Sequence, residues 1–130
     1  MPVDKRESIH HQLDTCDDAA LAELLTLNVE VNDQGTTIYR NGSGQMHRIH
    51  GPAVIWAGGS KSWYQNGLLH RTDGPANVRL QLGRQSWWLN GVRHRTDGPA
   101  IEDADGSRYW FIHGQHLTEE EWNERDKSLR

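Results

Sequence analysis

Residues 63–76 read WYQNGLLHRTDGPA, and residues 87–100 read WWLNGVRHRTDGPA. So long a string, present twice, constrains the fold more than any other feature of the chain. Trp63, Trp87 and Trp110 recur at intervals of 24 and 23 residues, and Pro52, Pro75 and Pro99 at 23 and 24. At such a fixed period each copy is one supersecondary unit that cannot bury its apolar face alone, so the copies must stack.

Each unit reads as antiparallel hairpins. Asn-Gly is the strongest short hairpin signal, because a type I′ turn needs positive φ at both central residues. It joins an aromatic strand (SWYQ, SWWL) to a short strand (LLHR, VRHR). Thr-Asp-Gly-Pro-Ala then redirects the chain: Asp bonds backbone N–H groups, Gly permits a left-handed conformation and Pro ends the pairing. The next strand starts at Ala76 or Ala100 and turns back at Gly83 or Gly106. Gly35 and Gly59 hold the same place in the earlier units. The expected fold is mainly β, a repetitive antiparallel hairpin sheet of 23–24 residues per unit with a short helix at each end.

Period-two alternation sorts the side chains. With Asn-Gly as the point of alignment, Ile38, Trp63, Trp87 and Trp110 form one ladder, and Tyr39, Tyr64, Trp88 and Phe111 the other. The first is expected to be core. The second is the candidate partner surface, together with Arg79 and Arg93 beside it.

At 130 residues a single domain is expected, with an arm and helix over 1–28, repeats over 29–117 and a closing segment over 118–130. Leu21, Leu24 and Leu25, with Ala20 and Leu27, make an apolar stripe that predicts a helix over about 16–27, lying on an end or face of the sheet. Thr15 and Asp18 are placed to cap it. At the other end Thr118 and Glu121 form a capping box, predicting a helix from Glu119 to about Lys127, with Trp122 docked on the sheet.

Charge follows the same division. Residues 1–30 carry seven acids against Lys5 and Arg6, and residues 31–117 carry nine bases against six acids. After Leu117 the chain is acidic again. Asp17, Asp18, Glu119 and Glu120 therefore join the candidate contact residues, as acidic surfaces facing a basic site on a partner. A single cysteine, Cys16, allows no internal disulfide. No apolar run is long enough to span a membrane, and the first residues lack the apolar stretch of a signal peptide. A cytoplasmic protein is expected. The N-terminal sheet edge is available to a second copy unless the first helix covers it, so a homodimer is a further expectation.

Over roughly residues 29–122 the unit resembles a repeat of phage, bacterial and giant-virus proteins, W-Y-x-N-G-x-x-H-R-x-D-G-P-A. Their last unit often runs into a Thr/Ser-x-Glu-Glu-aromatic helix, as residues 118–122 do here. More remotely it is similar to the MORN-type repeat, a single elongated sheet of hairpins, although the MORN glycine pattern is not kept. The first unit departs from its own pattern: Ser43 and Gly44 are additional, and His50 stands where Asp73 and Asp97 stand later. The resemblance implies an interaction scaffold, in phages an accessory protein aimed at a host component, and it implies no activity.

The residues point the same way. His47, His70 and His94 recur once per unit, which is what a structural imidazole produces, and they lack the clustered spacing of zinc ligands. Arg71–Asp73 and Arg95–Asp97 read as ion pairs that lock turns. No nucleophile elbow, phosphate loop, dinucleotide fingerprint or H-E-x-x-H occurs. Neither catalytic residue, metal nor cofactor is expected. Two functions remain: a non-enzymatic module that binds and inhibits a host protein, and a nucleic-acid binder that uses the arginine and aromatic face. The net charge of −4 weighs against the second.

Overall fold

The computed structural model describes residues 18–125. The fold is mainly β, antiparallel hairpins repeated along the chain, with a short helix before them and one after. The described residues fall into two compact units that divide between Leu68 and Leu69.

The first unit holds helix α1 (Asp18–Thr26) and strands β1 (Asn28–Val31), β2 (Thr37–Arg40), β3 (Val54–Ile55), β4 (Lys61–Ser62) and β5 (Tyr64–Gln65). β1 to β4 pair antiparallel in sequence order. Leu24 and Leu27 close a small core with Tyr39, flanked by Val29 and Ile55, so the helix lies on the first strands as its apolar stripe requires. Leu25 faces water. Cys16 and the proposed cap Thr15 lie outside the described residues. β1 is the edge strand, and only β2 pairs with it among the described residues.

Strand β6 (Leu68–Leu69) stands at the division. The second unit holds β7 (Asn77–Arg79), β8 (Arg84–Ser86), β9 (Trp88–Leu89), β10 (Val92–Arg93), β11 (Ile101–Glu102), β12 (Arg108–Ile112), β13 (Gln115–Leu117) and helix α2 (Glu119–Glu124). Its sheet runs β7-β8-β11-β12-β13, while β9 and β10 form a separate hairpin. α2 has the full capping box: the Glu121 N–H donates to Thr118 Oγ1 at 3.1 Å, and the Thr118 N–H donates to Glu121 Oε1 at 3.0 Å. Trp122 is buried beneath it. The helix ends at Glu124, where Arg125 turns extended as its C-cap, short of the expected Lys127, which itself lies outside the described residues.

The type I′ turns are as the sequence requires. Asn66, Asn90 and His113 have φ of 49°, 48° and 49°, and the glycines after them 81°, 82° and 82°. The first unit is built differently. Asn41 Oδ1 accepts the N–H groups of Ser43 and Gln45, and the positive φ falls on Gly44, not on Asn41 or Gly42. Asn41-Gly42 therefore opens a four-residue loop and is not the equivalent of Asn66-Gly67.

That difference corrects the ladders. Tyr39 donates its N–H to the Ala53 carbonyl as Trp87 does to Ala100, and it accepts from His47 as Trp87 does from His94. Tyr39 is thus the counterpart of the tryptophan, and Ile38 that of Ser62, with which it shares a row through Val54. A one-residue shift exchanges the faces of a strand. Tyr39, expected on the partly exposed ladder, is accordingly core, with 3% of its surface accessible. Trp63, Trp87 and Trp110, expected to be core, are only half-buried. The positions buried throughout are small ones. Ala53, Ala76 and Ala100 donate their N–H groups to the carbonyls of Ser62, Ser86 and Tyr109, and both serines are buried. Trp63 and Trp87 fall where β4 gives way to β5 and β8 to β9, outside the ladders of the sheet.

Candidate functional site

The repeated turn is a closed structural device. In the second unit Arg95 Nε donates to Asp97 at 2.7 Å, its Nη1 to the Pro99 carbonyl and to Glu102, and its guanidinium lies 3.8 Å above the Trp87 ring. Arg71 makes the matching bonds to Asp73 and the Pro75 carbonyl. In the first unit Arg48 lies 4.3 Å over Tyr39 and donates to the Pro52 carbonyl. There His50 replaces the aspartate, and Glu23 of α1 holds the turn through its backbone rather than through the arginine. It accepts the backbone N–H groups of Ile49 at 2.6 Å and His50 at 2.9 Å.

The recurring histidines are equally committed. His47, His70 and His94 each accept through Nδ1 the backbone N–H of the first turn residue ahead: Asn66, Asn90 and His113, at 2.9, 3.0 and 2.9 Å. A backbone N–H can only donate, so Nδ1 is the accepting nitrogen of each ring. The His94 ring stacks on His113 at 4.3 Å. Burial, then His113 and Arg125, hold the His94 pKa below the ordinary imidazole value. Among the described residues no group of three or more His, Cys, Asp or Glu is placed to hold a metal ion.

In the second unit a cleft of about 710 Å³ opens between the two turns, with Trp87, Leu89 and His94 beside Asp73 and Asp97. Trp87 and Leu89 share this side, as alternation requires. The opposite side carries a different surface. Trp88 and Arg93 are register partners across the β9–β10 hairpin, and Phe111 and His116 across β12 and β13. The Arg93 guanidinium stands 5.2 Å from the Trp88 ring and 5.3 Å from Phe111. His116 lies 5.0 Å from Phe111 and 6.3 Å from Tyr109. The Trp88 indole N–H donates to Ser86 Oγ at 2.8 Å, which fixes the ring.

The electrostatics of this row are unlike those of the turns. Asp73, Asp97, Glu102 and Asp103 are paired with Arg71, Arg95 and Arg84. The Asp103 pair is two-pronged and raises the Arg84 pKa. Asp105 and Glu121 are held below the usual carboxylate range, chiefly by the N–H groups of Ser107 and Thr118. Among the described residues no carboxylate pairs with Arg93, which is exposed.

Of the residues singled out from the sequence, the structure brings Trp88, Phe111 and Arg93 together. Tyr64 belongs to the first unit, where it lines a concavity of about 470 Å³ with Ile38, Met46 and Trp56. Arg79 is exposed at the end of β7, opposite Arg84 in register. Asp18 opens α1, and Glu119 and Glu120 open α2, all three exposed. Asp17 lies outside the described residues. Sequence reasoning missed His116 and Tyr109. The signal for His116 was present: it stands two residues after the His113-Gly114 turn, as Arg93 stands two after Asn90-Gly91. No helix among the described residues is long and apolar enough to cross a membrane. No family model matches the chain, and neither a curated protein nor a solved structure is detectably similar to it.

Proposed function

We propose that this protein is a non-enzymatic protein-binding module of the phage-accessory kind, acting in the host cytoplasm on a host protein that it inhibits. The Trp88–Arg93–Phe111–His116 row is its contact surface. The observation that carries this reading is the exposed Arg93 guanidinium held over two aromatic rings with no carboxylate of its own among the described residues. Arginine and aromatic side chains dominate the energetic centres of protein interfaces. The turns support the reading from the other side, since their histidines, arginines and aspartates are engaged with each other and with the backbone.

Binding along nucleic acid is the weaker reading. It needs a series of cations free to face phosphates. Arg40, Arg71, Arg84 and Arg95 are each bonded to a carboxylate, and Arg48 is buried. Two measurements test the choice. Capture from a bacterial lysate is expected to retain one protein in stoichiometric amount, and Arg93→Glu combined with His116→Glu to lose it. The tagged chain is expected to pass through immobilised single-stranded DNA and RNA at low salt. Retention there, together with capture that the double variant leaves unchanged, overturns the proposal.

A further inference from the structure

We propose that the Arg93 shelf is a receptor for a carboxylate side chain, presented by an acidic segment of the protein partner. This rests on the protein-binding reading and adds the chemistry of what is bound. Arg93 is the cation of the row, and its guanidinium is flanked by Trp88 at 5.2 Å and Phe111 at 5.3 Å. A guanidinium stacked on rings keeps its N–H edge for a planar, two-pronged acceptor, and a carboxylate has that shape. Two other arginines of this unit already have that partner: Arg84 is met by both oxygens of Asp103, and Arg95 by Asp97 and Glu102. Arg93 repeats the cation without the anion.

The neighbours suit the same occupant. Trp88 is fixed by its bond to Ser86, so the shelf is ordered before anything binds, which lowers the ordering cost of association. Tyr109, Phe111 and His116 continue the face with aromatic surface for an apolar residue beside the carboxylate. One fork on an aromatic floor matches one carboxylate. It suits a nucleic-acid backbone less well, since that asks for a line of cations, while the net charge is −4 and Arg71, Arg84 and Arg95 each hold a carboxylate.

The test is nitrogen-15 NMR of the full chain, read at the Trp88 indole N–H and the Arg93 Nε–H. The probes are a capped pentapeptide, Asp-Glu-Asp-Glu-Leu, and its neutral counterpart, Asn-Gln-Asn-Gln-Leu. The acidic peptide is expected to move both signals saturably and the neutral one to leave them in place. Arg93→Gln is expected to weaken the acidic peptide by roughly tenfold or more, and Arg93→Lys to fall between, since Lys keeps the charge and loses the fork. An unmoved Trp122 indole signal reports that each variant is folded. Equal response to both peptides, or undiminished binding by Arg93→Gln, overturns the proposal. So does a response to octathymidylate or inorganic phosphate without one to the acidic peptide. The two readings fail separately. If Arg93→Gln captures the same lysate protein as the parent, protein binding stands and the carboxylate site falls. If the peptide binds and the lysate yields nothing, the carboxylate site stands and protein binding falls.

Discussion

Two residues show how the repeat motif works and where it breaks. Gly98 does not take the left-handed conformation expected of it, and it is glycine because of Arg95: a Cβ there would stand 2.9 Å from the guanidinium carbon and 3.0 Å from Nη1. The arginine is a flexible side chain, but Asp97, Pro99, Glu102 and Trp87 all hold it in place, so moving it forfeits those contacts together. Gly98→Ala is expected to cost about 1–3 kcal/mol in denaturant unfolding, the range of overpacking. Gly42→Ala, where a Cβ meets nothing within 4 Å, is the near-neutral control. Glu23 is the mirror case. It braces, from a helix outside the turn, the one copy in which His50 stands in place of the aspartate, accepting two backbone N–H groups. Glu23→Ala is expected to cost about 1–3 kcal/mol, because the Ile49 and His50 donors lose a charged acceptor. Asp97→Ala breaks the ion pair with Arg95 in the second unit, and it is expected to cost less because that side chain is largely exposed.

Among the elements, legibility in the sequence tracked how local the determinant is. Thr118 and Glu121 are three residues apart, and the capping box they announce is formed in both directions. Thr118→Ala is expected to lower stability by about 1 kcal/mol, with loss of helical ellipticity, as removal of an N-cap does. Asn66-Gly67 and Asn90-Gly91 are equally local, and both turned as their residue types demand. Alternation correctly put Trp87 with Leu89 and Trp88 with Phe111. Which side is buried was not legible, because that depends on what covers each face. The cover over Trp87 is Arg95, seven residues beyond Trp88, and no period in the sequence announces that contact. The slip at Tyr39 has a further cause. The same Asn-Gly dipeptide serves two turn types, and only the chain after it decides which. The additional Ser43 and Gly44 were visible, but the one-residue shift they impose on Ile38 and Tyr39 appears only in the pairing. For the candidate site, Trp88, Phe111 and Arg93 were readable from faces and charge, whereas His116 required aligning a terminal unit that has lost the motif.

Across the molecule, one interaction recurs in both units, and at His94 it carries a proton-dependent consequence. His47 in the first unit and His70 and His94 in the second each accept a backbone N–H at the tip of a hairpin. At His94, protonation turns Nδ1 into a donor and leaves two donors facing each other. For His94 the folded state holds the imidazole below its ordinary value of about 6.5, through burial first, then the stacked His113 and the nearby Arg125. The unfolded chain therefore takes up the proton first. The stability His94 contributes is fully present above pH ~6.5 and is lost as pH falls through its folded value. Asp105 and Glu121 work in a lower window. Their carboxylates are held below the usual range, so what they contribute is present above pH ~4 and disappears on further acidification. The thermal midpoint is thus expected to be flat above neutrality, to decline from about pH 6.5 downward, and to fall again below about pH 4. His94→Asn separates the two steps. The Asn side-chain oxygen accepts the His113 N–H without titrating, so this variant is expected to flatten the upper decline and leave the lower one in place. An upper decline of unchanged depth in His94→Asn would assign the loss to other groups.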